Sequence, residues 1–204
     1  MSIVLSQYQE LLASYSDAND ALVLLREYRP YFEKIPSIRR PADSIVPIPL
    51  PTVQVRQPNI QSTGYLDTPF ERRSLPCDVA ILMCDPDWQI KNGEEIFLFI
   101  NRPGEDFSHL LTRWRETQIS LGNEYIWDMP MGYEHMLSEG SDKKYPLFVL
   151  FDESHPRLLK GLQGARLPYI IQSVQPDPLD GNFTDETEEL KIHSIISEIS
   201  HSTN

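Results

Sequence analysis

Val4, Tyr8, Leu11, Tyr15, Ala18, Leu22 and Leu25 follow one another at spacings of 4, 3, 4, 3, 4 and 3 residues, which aligns them on one face of a continuous helix. Leu5, Leu12, Val23 and Leu24 widen that stripe beyond a strict coiled-coil seam. The stretch Ser14–Asp20 is poor helix material, and Ser16 or Asp17 is placed to cap a second helix. The pattern predicts a helix or helical hairpin over residues 1–35, closed by Pro30 or Pro36. Its stripe, carried by Tyr8, Leu11, Tyr15, Leu22 and Leu25, needs a cover, either the chain's own core or a second chain.

From residue 77 the spacing alternates between strand and helix. Asp78–Cys84 (DVAILMC) and Glu95–Ile100 (EIFLFI) read as buried strands, with turn chemistry at Lys91-Asn92-Gly93 between them. Glu105–Ser120 has helical spacing at Phe107, Leu110, Leu111 and Trp114, and Gly122 ends it. Glu124–Asp128, Pro146–Phe151 and Pro168–Val174 are three further strands, with a short helix over Pro156–Leu162. A last helix over Asp185–Ser200 opens with Asp185 and Glu188 at capping-box spacing and carries Ile192, Ile195, Ile196 and Ile199 on one face. The order predicts an α/β fold, a five-stranded mixed sheet flanked by helices, whose first two strands form a hairpin.

Between these regions, residues 36–76 hold eight prolines and one glycine, Gly64, a composition of stiff, extended chain. Apolar residues interleave with proline over Ile45–Pro51, so this arm is expected to lie along a surface rather than in solvent. The organisation expected is therefore a helical element over 1–35, a proline-rich extended arm over 36–76 and an α/β domain over 77–204.

Charge changes what such a domain can meet. The 204 residues carry 30 acids and 18 Lys or Arg, a net charge of −12, which disfavours nucleic acid and anionic membrane as partners. Half of that excess lies in Leu167–Asn204, where seven acids face the single Lys191. The acids between Asp177 and Glu189 would steer a basic protein partner. The first fifteen residues lack the basic-then-apolar order of a secretory leader, and a cytoplasmic location is expected. Cys77 and Cys84, seven residues apart, would lie ~23 Å apart on one strand, too far to bridge.

Candidate chemistry sits at strand ends, where Asp85, Asp87, Asp128 and Asp152 stand. Gathered carboxylates of this kind hold Mg²⁺ and support phosphoryl transfer or phosphoester hydrolysis. The apolar strand running into Asp85-x-Asp87 resembles the opening motif of haloacid-dehalogenase-type phosphatases, with Trp88 where a small residue is expected. That resemblance implies a nucleophilic Asp85. The same two acids resemble the Asp-x-Asp of nucleotide-sugar glycosyltransferases. A hairpin of the first two strands, however, would put Asp85 at the opposite end of the sheet from Asp128 and Asp152 if strands two to four run parallel. Asp106 with His109, and Asp152 with His155, have acid–histidine spacing. Arg113 and Arg115 flank Trp114, whose place on the apolar helix face suggests packing with the arginines snorkelling beside it.

The reading that gathers most of these features is a non-enzymatic, cytoplasmic protein-interaction or assembly protein without a cofactor. Its contacts would be the helical stripe, the proline-rich arm, and the acidic segment with its isoleucine row, with a basic protein or a second copy as partner. The rival is a small Mg²⁺-dependent phosphoryl-transfer or hydrolytic enzyme built on Asp85, Asp87, Asp128 and Asp152. A third reading is an acidic inhibitor that mimics nucleic acid.

Overall fold

A computed structural model of the chain describes residues 5–56, 70–87, 90–133, 136, 138–152 and 154–173. The predicted acidic helix with Ile192, Ile195, Ile196 and Ile199 lies outside the described residues. Helix α1 spans Leu5–Ser14 and α2 spans Ala18–Glu27. Asp17 separates them as the N-cap of α2, its carboxylate accepting from the amides of Asn19 and Asp20. Pro30 both ends α2 and sits in the first turn of α3, Arg29–Phe32, where its missing N–H costs nothing.

The proline-rich stretch is spent on sheet pairing. Strand β1 is Ile45–Pro49, β2 is Thr52–Arg56 and β3 is Phe70–Ser74. Next come β4, Val79–Asp85, and β5, Ile90–Ile100. Helix α4 is Phe107–Ser120, and β6 is Tyr125–Trp127. The chain continues through β7, Lys143–Phe151, α5, Pro156–Gly164, and β8, Tyr169–Gln172. The fold is mixed α/β with a five-stranded mixed sheet in the order β1-β4-β5-β7-β8. As anticipated, β4 and β5 are antiparallel, while β5, β7 and β8 run parallel.

Three assignments differ from the sequence-based expectation. The fifth place in the main sheet belongs to β1, not to the strand at Glu124–Asp128. Pro47 and Pro49 lack an N–H, and an edge position tolerates them. The segment Tyr125–Trp127 instead pairs with β2 in a second sheet ordered β3-β2-β6. The chain passes between the sheets at Leu50, which adopts a left-handed φ of 43° and donates its amide to the carbonyl of Asp78 at 2.8 Å. The expected turn at Lys91-Asn92-Gly93 also lies inside β5, with Gly93 at a φ of 75°.

Strand alternation divides the core. Ala80, Leu82, Phe97, Phe99, Phe148 and Leu150 pack in one cluster with Leu110 and Trp114 of α4, Leu158 and Leu162 of α5, and Trp127 of the second sheet. Val79, Ile81, Met83, Ile96, Leu98 and Val149 alternate with them and are fully buried. The N-terminal helices serve this opposite face. Tyr31 of α3 donates its hydroxyl to the carbonyl of Pro146 at 2.7 Å, and Gln172 bonds Glu27 of α2. Among the described residues no helix is long and apolar enough to cross a membrane.

Candidate functional site

The four strand-end aspartates go separate ways. Asp85 ends β4, which is antiparallel to β5, so it lies at the far end of the sheet from Asp152, which stands exposed after β7. Asp85 accepts from the amide of Asp87 in a tight turn, and Asp87 pairs with Arg40. Asp128 follows β6 and clasps the second sheet. It accepts from Thr52 Oγ1 at 2.8 Å, Gln54 Nε2 at 2.9 Å and Arg72 Nε at 2.7 Å. Burial opposes its charge, but the bonds from Gln54, Thr52 and Arg72 outweigh that and hold its pKa below the ordinary value. Among the described residues no group of three or more His, Cys, Asp or Glu is placed to hold a metal ion.

The two candidate histidines, His109 and His155, cap or edge helices. Asp106 accepts from the amide of His109 as the N-cap of α4, with His109 Nδ1 3.0 Å from its carboxylate. His155 does the same for α5, accepting from the amide of Arg157 through Nδ1. The cysteines are free and buried. Burial pushes the Cys84 thiol up to about 11 and Cys77 higher still.

Two buried carboxylates escaped the sequence reading. Asp78 is fully buried and receives four donors: Tyr8 Oη at 2.7 Å, the Ile100 amide at 2.7 Å, Arg102 Nη2 at 2.8 Å and Arg113 Nη2 at 2.5 Å. Arg113 also reaches Glu105 at 3.3 Å. Arg113, expected to snorkel beside Trp114, is thus buried in a neutral group of two acids and two arginines. The apolar helix face leaves it no route to water, and Asp78 supplies the countercharge. Glu95, also fully buried, receives Tyr125 Oη at 2.5 Å and Trp127 Nε1 at 2.8 Å. The available signal was positional, since each acid opens an otherwise apolar strand run. The distant partners carried no local trace.

The helical stripe divides between core and groove. Leu22 and Leu25 are buried, as are Tyr15 and Leu24. Tyr8 is half-buried over Asp78, and Leu11 is half-buried. Leu11, Tyr15, Val23 and Leu24 line a groove of about 190 Å³, with Ser14, Asp20, Glu27 and Gln172 around them. Val23 is 53% exposed there. From Leu5 to Glu27 the chain carries Glu10, Asp17, Asp20 and Glu27 against Arg26 alone, which makes the rim acidic. A larger open cleft of about 710 Å³ lies at one end of the second sheet, between Arg56, Phe70, Tyr125, Glu139 and Lys144. Its lining mixes both signs of charge.

No family model, no curated protein and no solved structure matches this chain.

Proposed function

We propose that the protein is a non-enzymatic interaction module that receives a basic, apolar segment of a protein partner in the groove between α1, α2 and β8. The observation that carries this reading is the pairing of an exposed apolar side chain, Val23, with a half-buried Leu11 under an acidic rim at Asp20 and Glu27. An apolar anchor seated in such a groove supplies affinity, and the rim selects the sign of the flanking charge. The remainder of the stripe, Leu22 and Leu25, contributes by fixing α2 on the sheet rather than by meeting the partner.

The test uses the full chain and a synthetic amphipathic peptide of Leu and Lys, followed by fluorescence anisotropy. Val23→Asp adds an acid, so general attraction to a basic peptide would rise, whereas seating of an apolar side chain would be lost. Binding weakened by about tenfold supports the groove, a difference of ~1.4 kcal/mol. Unchanged or tighter binding by Val23→Asp rules it out.

A further inference from the structure

Helix α5 and the strand that follows it have a charge pattern opposite to the rest of the chain. Residues 154–173 contain Arg157, Lys160 and Arg166 and no acid, within a protein of net charge −12. All three are exposed, and none has an ion-pair partner among the described residues. Other cations are paired, as Arg72 is to Asp128, Arg56 to Glu124 and Lys143 to Glu94, while Arg26, Arg39, Arg115 and Lys144 also lack an ion pair among the described residues but lie among acids in sequence. Asp152, the described acid nearest before the helix, pairs with none of the three.

Leu158 and Leu162 point into the core, one turn apart, so Lys160 lies on the opposite, solvent side of α5. Arg157 is three residues before it and therefore a neighbour on the helix surface. Arg166 follows just beyond the C-cap, Ala165, with a left-handed φ of 53°. No cation lies in the last turn of α5, and Arg157 sits in the first turn, where the dipole opposes a cation. Its own helix does not account for that placement. The register of β8 with β7 puts Ile171 on the same side of the sheet as Leu150 and α5, and Ile171 is 42% exposed on an edge strand.

We infer that the exposed face of α5 with Arg157 and Lys160, together with Arg166 just past its end and Ile171 on the same side of the sheet, docks an acidic segment of a partner protein that also carries an apolar residue. Charge complementarity selects the sign. The small number of cations and the exposed apolar side chain on that side favour a protein segment over a nucleic acid, whose phosphates would extend onto the acidic remainder of the molecule. This inference rests on the reading of the chain as an interaction module, and it places a second surface on the opposite side of the sheet from the acidic groove.

The experiment compares the full chain with the variant Arg157→Glu, Lys160→Glu, using a labelled 12-residue peptide of alternating Glu and Leu. Both substitutions are exposed, and matched thermal unfolding of the two proteins establishes that the fold is intact. The expected result is a loss of about tenfold or more in affinity in the variant. Arg29→Glu, on the other face, should leave peptide binding unchanged. The Leu and Lys peptide should lose no affinity for the α5 variant, whose added acids can only raise general attraction to it, which separates failure here from failure of the groove. No binding of the acidic peptide, or binding insensitive to the reversal, overturns the inference. So does tighter binding of a 20-nucleotide single strand or of phosphatidylserine vesicles with the same sensitivity, which would reassign the face to another class of partner.

Discussion

The two faces of the five-stranded sheet are covered by elements of different origin. On one side lie α4, α5 and the second sheet, delivered there by the connections between the strands themselves. Aromatic rings fill that side, with Phe97 6.0 Å from Trp127 and Phe99 5.3 Å from Phe148. On the other side lie α1 to α3, which precede the sheet in sequence and are held by the buried Leu22, Leu24 and Leu25 of α2 and by long-range polar links, Tyr8 to Asp78 and Tyr31 to Pro146. The first face is bound by topology, the second by docking. A docked layer is the one that can be loosened without dismantling the sheet, and it is also the layer that bears the acidic groove.

The largest effect tests whether α2 belongs to the core despite its docked origin. Leu22 is only 4% exposed, so Leu22→Asp both empties its site and buries a carboxylate. The expected cost is about 4–6 kcal/mol, close to a small domain's whole margin. Urea unfolding should show a largely unfolded chain in water. A folded Leu22→Asp protein would mean that α2 is dispensable to the sheet.

Next comes the charge group that joins both faces. Arg113→Met leaves Glu105 without its buried partner and Asp78 with a single arginine. A loss of about 3–5 kcal/mol is expected from one orphaned buried charge. Pairing it with Asp78→Asn restores neutrality, because Arg102 and Glu105 remain, and should recover part of the loss in the same urea titration.

A smaller change isolates the docked layer. Tyr8→Phe removes one of the four donors to Asp78, a loss of about 1 kcal/mol. Hydrogen exchange should quicken in α1 and stay unchanged in β4 and β5. Burial, followed by the hydrogen bond to Asp78, pushes the Tyr8 phenol up to about 12. The raised value stabilises the neutral phenol, so this link is fully present below the ordinary tyrosine value near 10 and weakens as pH rises toward 12. If exchange quickens equally in the strands, the layer is not separable.

Much of this architecture was written in local pattern. The break at Asp17, the antiparallel pairing of β4 with β5, α4 and the parallel crossover through α5 all follow from spacing and capping residues within a few positions of one another, although the turn between β4 and β5 comes before the expected Lys91-Asn92-Gly93. What local pattern could not carry was sheet membership. Tyr125 and Trp127 have strand chemistry whichever sheet they join, and the choice is made by Glu95, about thirty residues earlier, which accepts from both. The proline arm misled for a related reason, since proline forbids a central strand but permits the edge that β1 occupies. Of the candidate surfaces, the stripe was visible as a period. Its division into a buried part and a groove depends on where α1 crosses α2, which no spacing records.

The smallest effect concerns the second sheet, the outermost cover of the aromatic face. Asp128 joins β2, β3 and β6 through Thr52, Arg72 and its own strand, and its pKa lies below the ordinary carboxylate value. A depressed folded value contributes stability that is fully present above the unfolded value near 4 and is lost as pH falls through the folded one. Asp128→Asn keeps the shape but removes the charge that Arg72 meets, so a deficit of about 1 kcal/mol is expected at pH 7. That deficit should begin to shrink as pH falls below about 4, where the unfolded chain's carboxyl takes up its proton, and vanish once pH has passed through the lower folded value. Urea midpoints of both proteins from pH 7 to pH 3 would show the curves converging. Hydrogen exchange at pH 7 should assign the loss to β2 and β6 and leave α2 untouched. Parallel curves would mean that Asp128 acts through shape alone, and a loss shared by α2 would mean that the two faces are coupled through the sheet rather than independently held.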